Sequence, residues 1–370
     1  MSSETHAYRC WAEIDLTALQ HNVAAVRSHL GAETAILAVV KADAYGHGVG
    51  PVIRALAGRV NMLGVANLQE AHEARTHETR TPILILSPAL PEERRGIVDG
   101  GFVPLISTLE EARAYAPLAT GEPLAIHLKI DTGMGRMGIW EHEAVATAAE
   151  ILRLPGVAIT GLATHLPVAD EDDSFTSQQL ARFRELANAI RALGCPDAVT
   201  HVENSAGLIA HPTKAGDMVR AGLMLYGSAP LAEFQSRLRP PLTWKTRIAL
   251  LRTAPAGHGI SYGRTFITDH PTRVATLAVG YADGYPRHLS GRNAEVLIHG
   301  QRCPVLGRVT MDQIIADVSE VADAQIGDET VLLGRQGGAE ILAAELAGKA
   351  GTIAWEIFTG LGRRVQRFYL

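Results

Sequence analysis

Apolar residues fall into two patterns along this chain, unbroken short runs between Thr34 and Gly227 and alternating stripes after Arg239. The first set reads AILAVVKA from Ala35, NMLGVANL from Asn61, PILILS from Pro82 and FVPLIST from Phe102. It continues with LAIHLKID from Leu124, VAITGLATHL from Val157, AVTHVEN from Ala198 and MVRAGLMLYG from Met218. Runs without polar alternation predict strands buried on both faces of a parallel sheet. Helical spacing marks the segments between them, including LEEARAYA from Leu109 and SFTSQQLARFRELANAIRALG from Ser174. In the second of these, Ser174 reads as the N-cap and Gly194 as the C′ residue. About eight strand–helix units in roughly 200 residues is the arithmetic of a (β/α)8 barrel, with a doubly wound open sheet as the alternative.

Past Arg239, Pro240 and Pro241 punctuate the chain and the pattern switches. LTWKTRIALLRTA, TRVATLAVGYADGY, EVLIHGQRCPVLGRVTMDQIIADVS and ETVLLG predict antiparallel strands, with one helix from about Glu340 to Lys349. The division is therefore 1–240 for the barrel and 241–370 for a mainly β domain.

Composition narrows the function classes. With 34 Lys+Arg against 39 Asp+Glu the net charge is −5, which argues against a nucleic-acid or anionic-membrane partner held by bulk charge. Cys10, Cys195 and Cys303 are too few and too scattered for a disulfide scaffold or a thiolate metal site. The N-terminus MSSETHAYRCWAEIDL shows no apolar export core, and no apolar run approaches the about 18 residues of a spanning helix. These features predict a cytoplasmic enzyme without a resident metal.

Two motifs invite misreading. Gly133-Met-Gly-Arg-Met-Gly138 satisfies G-x-G-x-x-G, yet VAITG stands where a dinucleotide fold needs an acidic residue. His72 and His77 are one residue too far apart for H-E-x-x-H. On a helix, positions i and i+5 diverge by about 140°, so surface histidines are the better reading.

AVVKADAYGHG carries the chemistry. Lys41 ends the first predicted barrel strand after a wholly apolar run. A solvated, strand-terminating lysine is the commoner fate of this residue type. Barrel active sites, however, lie at the C-terminal strand ends, and a desolvated lysine there has the lowered pKa that a Schiff-base nucleophile requires. Barrel phosphates often dock on the loops after the last two strands. Here those loops are HVENSAG, with Ser205, and VRAGLMLYG, with Gly222 and Leu223; Tyr45 and its glycine turn add a further contact. An imine-forming lysine and a phosphate cradle in one barrel mouth point to pyridoxal 5′-phosphate.

AVVKADAYGHG, HLKIDTGMGRMGI, HVENSAGL, DMVRAGLMLYG, GISYGRTF and GRVTMDQ stand in the order seen in bacterial alanine racemases, and the chain resembles that family from Trp11 onward. The resemblance implies a fold-type-III pyridoxal enzyme that interconverts L- and D-alanine, supplying D-alanine for peptidoglycan, on a small amino-acid substrate. It implies that Lys41 holds the cofactor and acts on one face of the substrate carbon, with Tyr262 acting on the other. Arg220 then faces the pyridine nitrogen with His165 behind it, and an always-charged guanidinium disfavours protonation there. Arg136 orients the tyrosine and the substrate carboxylate, and His201 is the tyrosine's hydrogen-bond partner. Tyr45, Ser205, Gly222 and Leu223 contact the phosphate. Met311 offers a backbone contact to the carboxylate, with Asp312 supporting its loop. Tyr262 and Met311 arrive from the second subunit of a homodimer. Lys129, matching a lysine that is often carbamylated, is expected to be so here.

The chain departs from the family at Trp355, where many members place a tyrosine that contacts the phosphate. The alternatives are a serine or broader-specificity racemase, a fold-related decarboxylase and a non-enzymatic cofactor-binding barrel. Arg220 speaks against the decarboxylase, which benefits from an acidic partner at the ring nitrogen. The β domain with Tyr262 speaks against the binding-only barrel.

Overall fold

The eight unbroken apolar runs become eight parallel strands that close on themselves, in a computed structural model describing residues 8–78, 80–212 and 216–370. The expectation of no export segment rests in part on residues 1–7, outside the described residues. The barrel strands are β1 (Ala35–Val39), β2 (Met62–Val65), β3 (Ile83–Ile85), β4 (Val103–Ile106), β5 (Leu124–Asp131), β6 (Val157–Ala163), β7 (Val199–His201) and β8 (Met218–Ala221). Each pairs in parallel with its sequence neighbours, and Arg220 opposite Leu37 returns β8 to β1. Closure removes every sheet edge, so the strands are apolar on both faces as their sequences demand. The doubly wound alternative falls on this closure.

The long barrel helix spans Asp173–Ala192 and is capped by Asp172, whose carboxylate accepts from Phe175 N–H at 2.9 Å. The N-cap thus stands two residues before Ser174, the position read from the sequence, because a carboxylate in the acidic ADEDDS stretch reaches the orphan amide first. Gly194 follows the C-cap with φ +141°, the positive φ that glycine tolerates at a helix end.

Residue contacts divide the chain into two units. The barrel unit holds Leu19–Ala44 and Val49–Leu238; the other gathers residues 8–18, Tyr45–Gly48 and Arg239–Leu370. In the second unit, six antiparallel strands form a closed ring, completed where Leu242–Ala254 pairs with Glu329–Gln336. Residues 8–18, assigned to the barrel from the sequence, fall in the other unit. The strand Cys10–Ile14 pairs antiparallel with Leu242–Ala254, and Gln366–Tyr369 lies parallel against it. Burial of Trp11 and Trp244 explains this: both indoles are fully enclosed in the β unit. One predicted helix is present as Ala343–Ala350, and a second, Ala354–Thr359, follows it.

Candidate active site

Strand β1 delivers Lys41 to the C-terminal end of the barrel, and the chain then turns left-handed. Ala42, Asp43, Ala44 and Tyr45 all have φ of 53–54°. For residues with a Cβ this conformation costs roughly 1–2 kcal/mol each, so something must hold it. Glu70 Oε1 accepts from Ala42 N–H at 2.9 Å, Val40 O from Ala44 N–H at 2.9 Å, and Asp43 Oδ1 from Val49 N–H at 2.7 Å. Lys41 is itself exposed, yet surrounding protein and the nearby Arg136 guanidinium lower its amine pKa, with Glu70 opposing them.

Arg220 forms the centre of the barrel-end cluster. It is 6% exposed, and its guanidinium donates from Nη1 to His201 O (2.6 Å) and His201 Nδ1 (3.1 Å). Nη2 donates to Thr164 O (2.9 Å), Val202 O (2.8 Å) and His165 Nδ1 (3.0 Å). Nε takes no part in these contacts. Burial brings the guanidinium down to about 10, with Glu203 opposing. Burial and then Arg220 push His165 down to about 2, so both flanking imidazoles are neutral.

This arrangement corrects one expectation. His201 is completely enclosed, and its two ring nitrogens are occupied by Arg220 Nη1 and by His127 Nδ1, the latter at 2.9 Å. Neither remains for a tyrosine hydroxyl. His165 is half-buried, and its Nε2 lies outside the Arg220 contact.

Strand β5 adds Lys129, 4% exposed, whose amine is driven far below the ordinary lysine value by burial and by Arg220 and Arg136. The glycine-rich loop after β5 is organised by its own strand. The Asp131 carboxylate accepts from the backbone N–H groups of Gly133, Met134, Gly135 and Arg136 at 2.9–3.2 Å. Those amides are therefore not free for a pyrophosphate, and the loop's product is the placement of Arg136. Ser205 and Gly222 meet just past the C-terminal end of β8, with Gly222 N–H donating to Ser205 Oγ at 3.2 Å and Leu223 following, buried. The two misleading histidines also separate: His72 packs edge-on to Phe102 and His77 Nδ1 lies 3.2 Å from Arg54. No group of metal-binding side chains occurs among the described residues.

The β unit carries the remaining positions. Tyr45 is buried, and burial raises its phenol to about 12, with a hydrogen bond from Trp355 opposing. Tyr262 projects from the turn Tyr262–Arg264 and is 71% exposed. Met311 is 52% exposed, and Asp312 beside it accepts from Arg364 Nη1 and Nη2 at 2.8 and 2.9 Å.

Residues 14–230 match the alanine racemase N-terminal domain family and residues 241–369 the alanine racemase C-terminal domain family. The chain belongs to the alanine racemase family. It is 44% identical over 365 residues to the alanine racemase of Symbiobacterium thermophilum, covering 97% of this chain and 96% of that one. The alanine racemase of Halothermothrix orenii is 42% identical at the same coverage. The crystal structure of alanine racemase from E. faecalis superposes with a TM-score of 0.91 at 33% identity, over 98% of this chain and 99% of that one. Two further side chains organise the site with no role read from the sequence, Glu70 on the left-handed turn and His127 behind His201. For His127 a signal exists: His127 and Lys129 are polar, two apart and so on one face of an otherwise apolar strand.

Proposed function

We propose that this chain is a pyridoxal 5′-phosphate-dependent isomerase that interconverts L- and D-alanine by a two-base mechanism, supplying D-alanine for peptidoglycan. The residues present fit the cofactor: a primary amine with lowered pKa at a strand end, a buried guanidinium with its Nε uncommitted, and a hydroxyl beside a glycine amide. Lys41 would hold it covalently, Arg220 would face its ring nitrogen, and Tyr45, Ser205, Gly222 and Leu223 its phosphate. When bound, the cofactor withdraws electrons from the amino acid and makes its Cα proton acidic.

The chain's own groups supply the rest. The lowered pKa leaves Lys41 Nζ able to take or return the Cα proton on one face near neutrality. The Tyr262 hydroxyl serves the opposite face, because inversion requires that the proton leave one side and return on the other. Arg136 orients the substrate carboxylate, with Met311 offering a backbone contact. Arg220 carries the choice of reaction. Its imidazole neighbours are neutral and accept its hydrogen bonds, so the guanidinium keeps its charge and would disfavour the protonated ring nitrogen from which a decarboxylase benefits.

We assign the working form as a homodimer in which each site combines Lys41 of one copy with Tyr262 and Met311 of a second. Both side chains stand exposed on their own chain, which supports this reading. The three unpaired thiols fit a reducing compartment, and we place the enzyme in the cytoplasm. Incubation with cofactor and L-alanine is expected to yield D-alanine without carbon dioxide. Carbon dioxide release, or no turnover, refutes the racemase. Full activity of a protein that stays monomeric on dilution refutes the shared site.

A further inference from the structure

The buried chain behind Arg220 has a single consistent proton arrangement. A guanidinium only donates, so His201 Nδ1, 3.1 Å from Nη1, must be bare and the His201 proton must sit on Nε2. That N–H points at His127 Nδ1, 2.9 Å away, which must therefore accept, leaving the His127 proton on its own Nε2. The reverse tautomer at His201 would set two N–H groups against each other. His201 has no water-exposed surface, so a missing acceptor at His127 would strand a buried donor.

The His127 ring is held by an equally specific feature. Pairing between β5 and β6 shifts register between Ile126 and His127, setting His127 opposite Gly161. A Cβ on Gly161 would lie 2.5 Å from His127 Cγ and Cδ2, closer than any real contact. Glycine at this strand position is thus the seat for the imidazole.

We propose that His127, seated on Gly161, is a positioning residue that fixes the His201 tautomer and through it the guanidinium of Arg220. It touches neither substrate nor cofactor. Its effect on rate rests on the racemase reading above; its effect on the tautomer does not.

Three variants and one measurement on the unaltered protein test this. His127→Leu removes the acceptor, whereas His127→Asn presents an amide oxygen near the place of Nδ1. The leucine variant is expected to lose about 10-fold to 100-fold in kcat with KM little changed, and to shift the visible absorption of the holoenzyme. The asparagine variant should stay near wild type in both. Gly161→Ala should reproduce the leucine loss by unseating the ring. Wild-type rate and spectrum in the leucine variant overturn the proposal, as does equal impairment by leucine and asparagine. Should the leucine variant fail to fold, 15N-histidine NMR of the wild-type protein decides: both rings should be neutral and protonated on Nε2. A proton on His201 Nδ1 overturns the proposal, whether or not the protein racemises alanine.

Discussion

Trp355 donates its indole N–H to the phenol oxygen of Tyr45. Burial holds that phenol up at about 12, so it stays protonated through the working range. We propose that the indole acts on the cofactor through Tyr45. Trp355→Phe removes the donor and is expected to weaken cofactor binding about fivefold, the equivalent of roughly 1 kcal/mol for one hydrogen bond. Titration of the apoenzyme followed by absorbance reads this directly. Trp355→Tyr should change KM more than kcat, and complete loss of racemisation in that variant would refute the reading.

Lys129 lies buried, and burial, Arg220 and Arg136 disfavour the ammonium more strongly than the Asp131 carboxylate favours it. An uncharged amine adds carbon dioxide, forming the N–C bond and releasing a proton, and the product is an anion. Two guanidiniums that repel the ammonium attract the carbamate. We expect a carbamate on Lys129, visible as electron density beyond Nζ and as a new carbonyl resonance after incubation with 13C-bicarbonate. Density that ends at a bare amine counts against it.

The barrel was legible because closure buries both faces of every strand, and that leaves eight unbroken apolar runs in the sequence. Lys41 was legible for a related reason: a charge at the end of such a run is conspicuous. Pairwise facts were not. Nothing in HVENSAG says that His201 has both nitrogens occupied, since the partners lie 19 and 74 residues away. Cys10–Ile14 escaped because a five-residue strand pairs with Leu242–Ala254, more than two hundred residues along. Glu70 reads as an ordinary first-turn acid, and its grip on the left-handed turn appears only in three dimensions.

Acid should expose the neutral histidines. Burial places His127 at about 4 and His165 at about 2, with His201 also lowered, whereas an unfolded histidine titrates near 6.5. Below about pH 6.5 the unfolded state therefore binds protons that the folded state refuses. Stability is fully present above that pH and falls as pH drops toward 4, by up to about 1.4 kcal/mol per pH unit for each histidine. Urea unfolding at pH 7.5 and 5.5 should show the loss of stability between them smaller by about 1.4 kcal/mol in His127→Asn. An unchanged loss would remove His127 from the set.

The Met311 loop is clamped from two sides. Tyr281 and Ala282 N–H donate to the Thr310 and Met311 carbonyls at 3.0 Å, and a Cβ on Gly280 would lie 2.3 Å from either oxygen. Arg364 spans the clamp, donating from Nε to Asp283 Oδ1 at 3.0 Å while both Nη atoms hold Asp312. Asp283 completes it by accepting from Gly280 N–H at 2.9 Å. The Thr310 carbonyl is thereby fixed, and with it the Met311 amide of the same peptide, which we propose meets the substrate carboxylate. If that amide contributes substrate binding common to ground and transition states, loosening the loop raises KM and leaves kcat nearly unchanged. Arg364→Ala is expected to raise KM several-fold. Lysine should not restore it, because one ammonium cannot span both carboxylates as the planar fork does. A fall in kcat at constant KM would instead place this loop in the proton-transfer step.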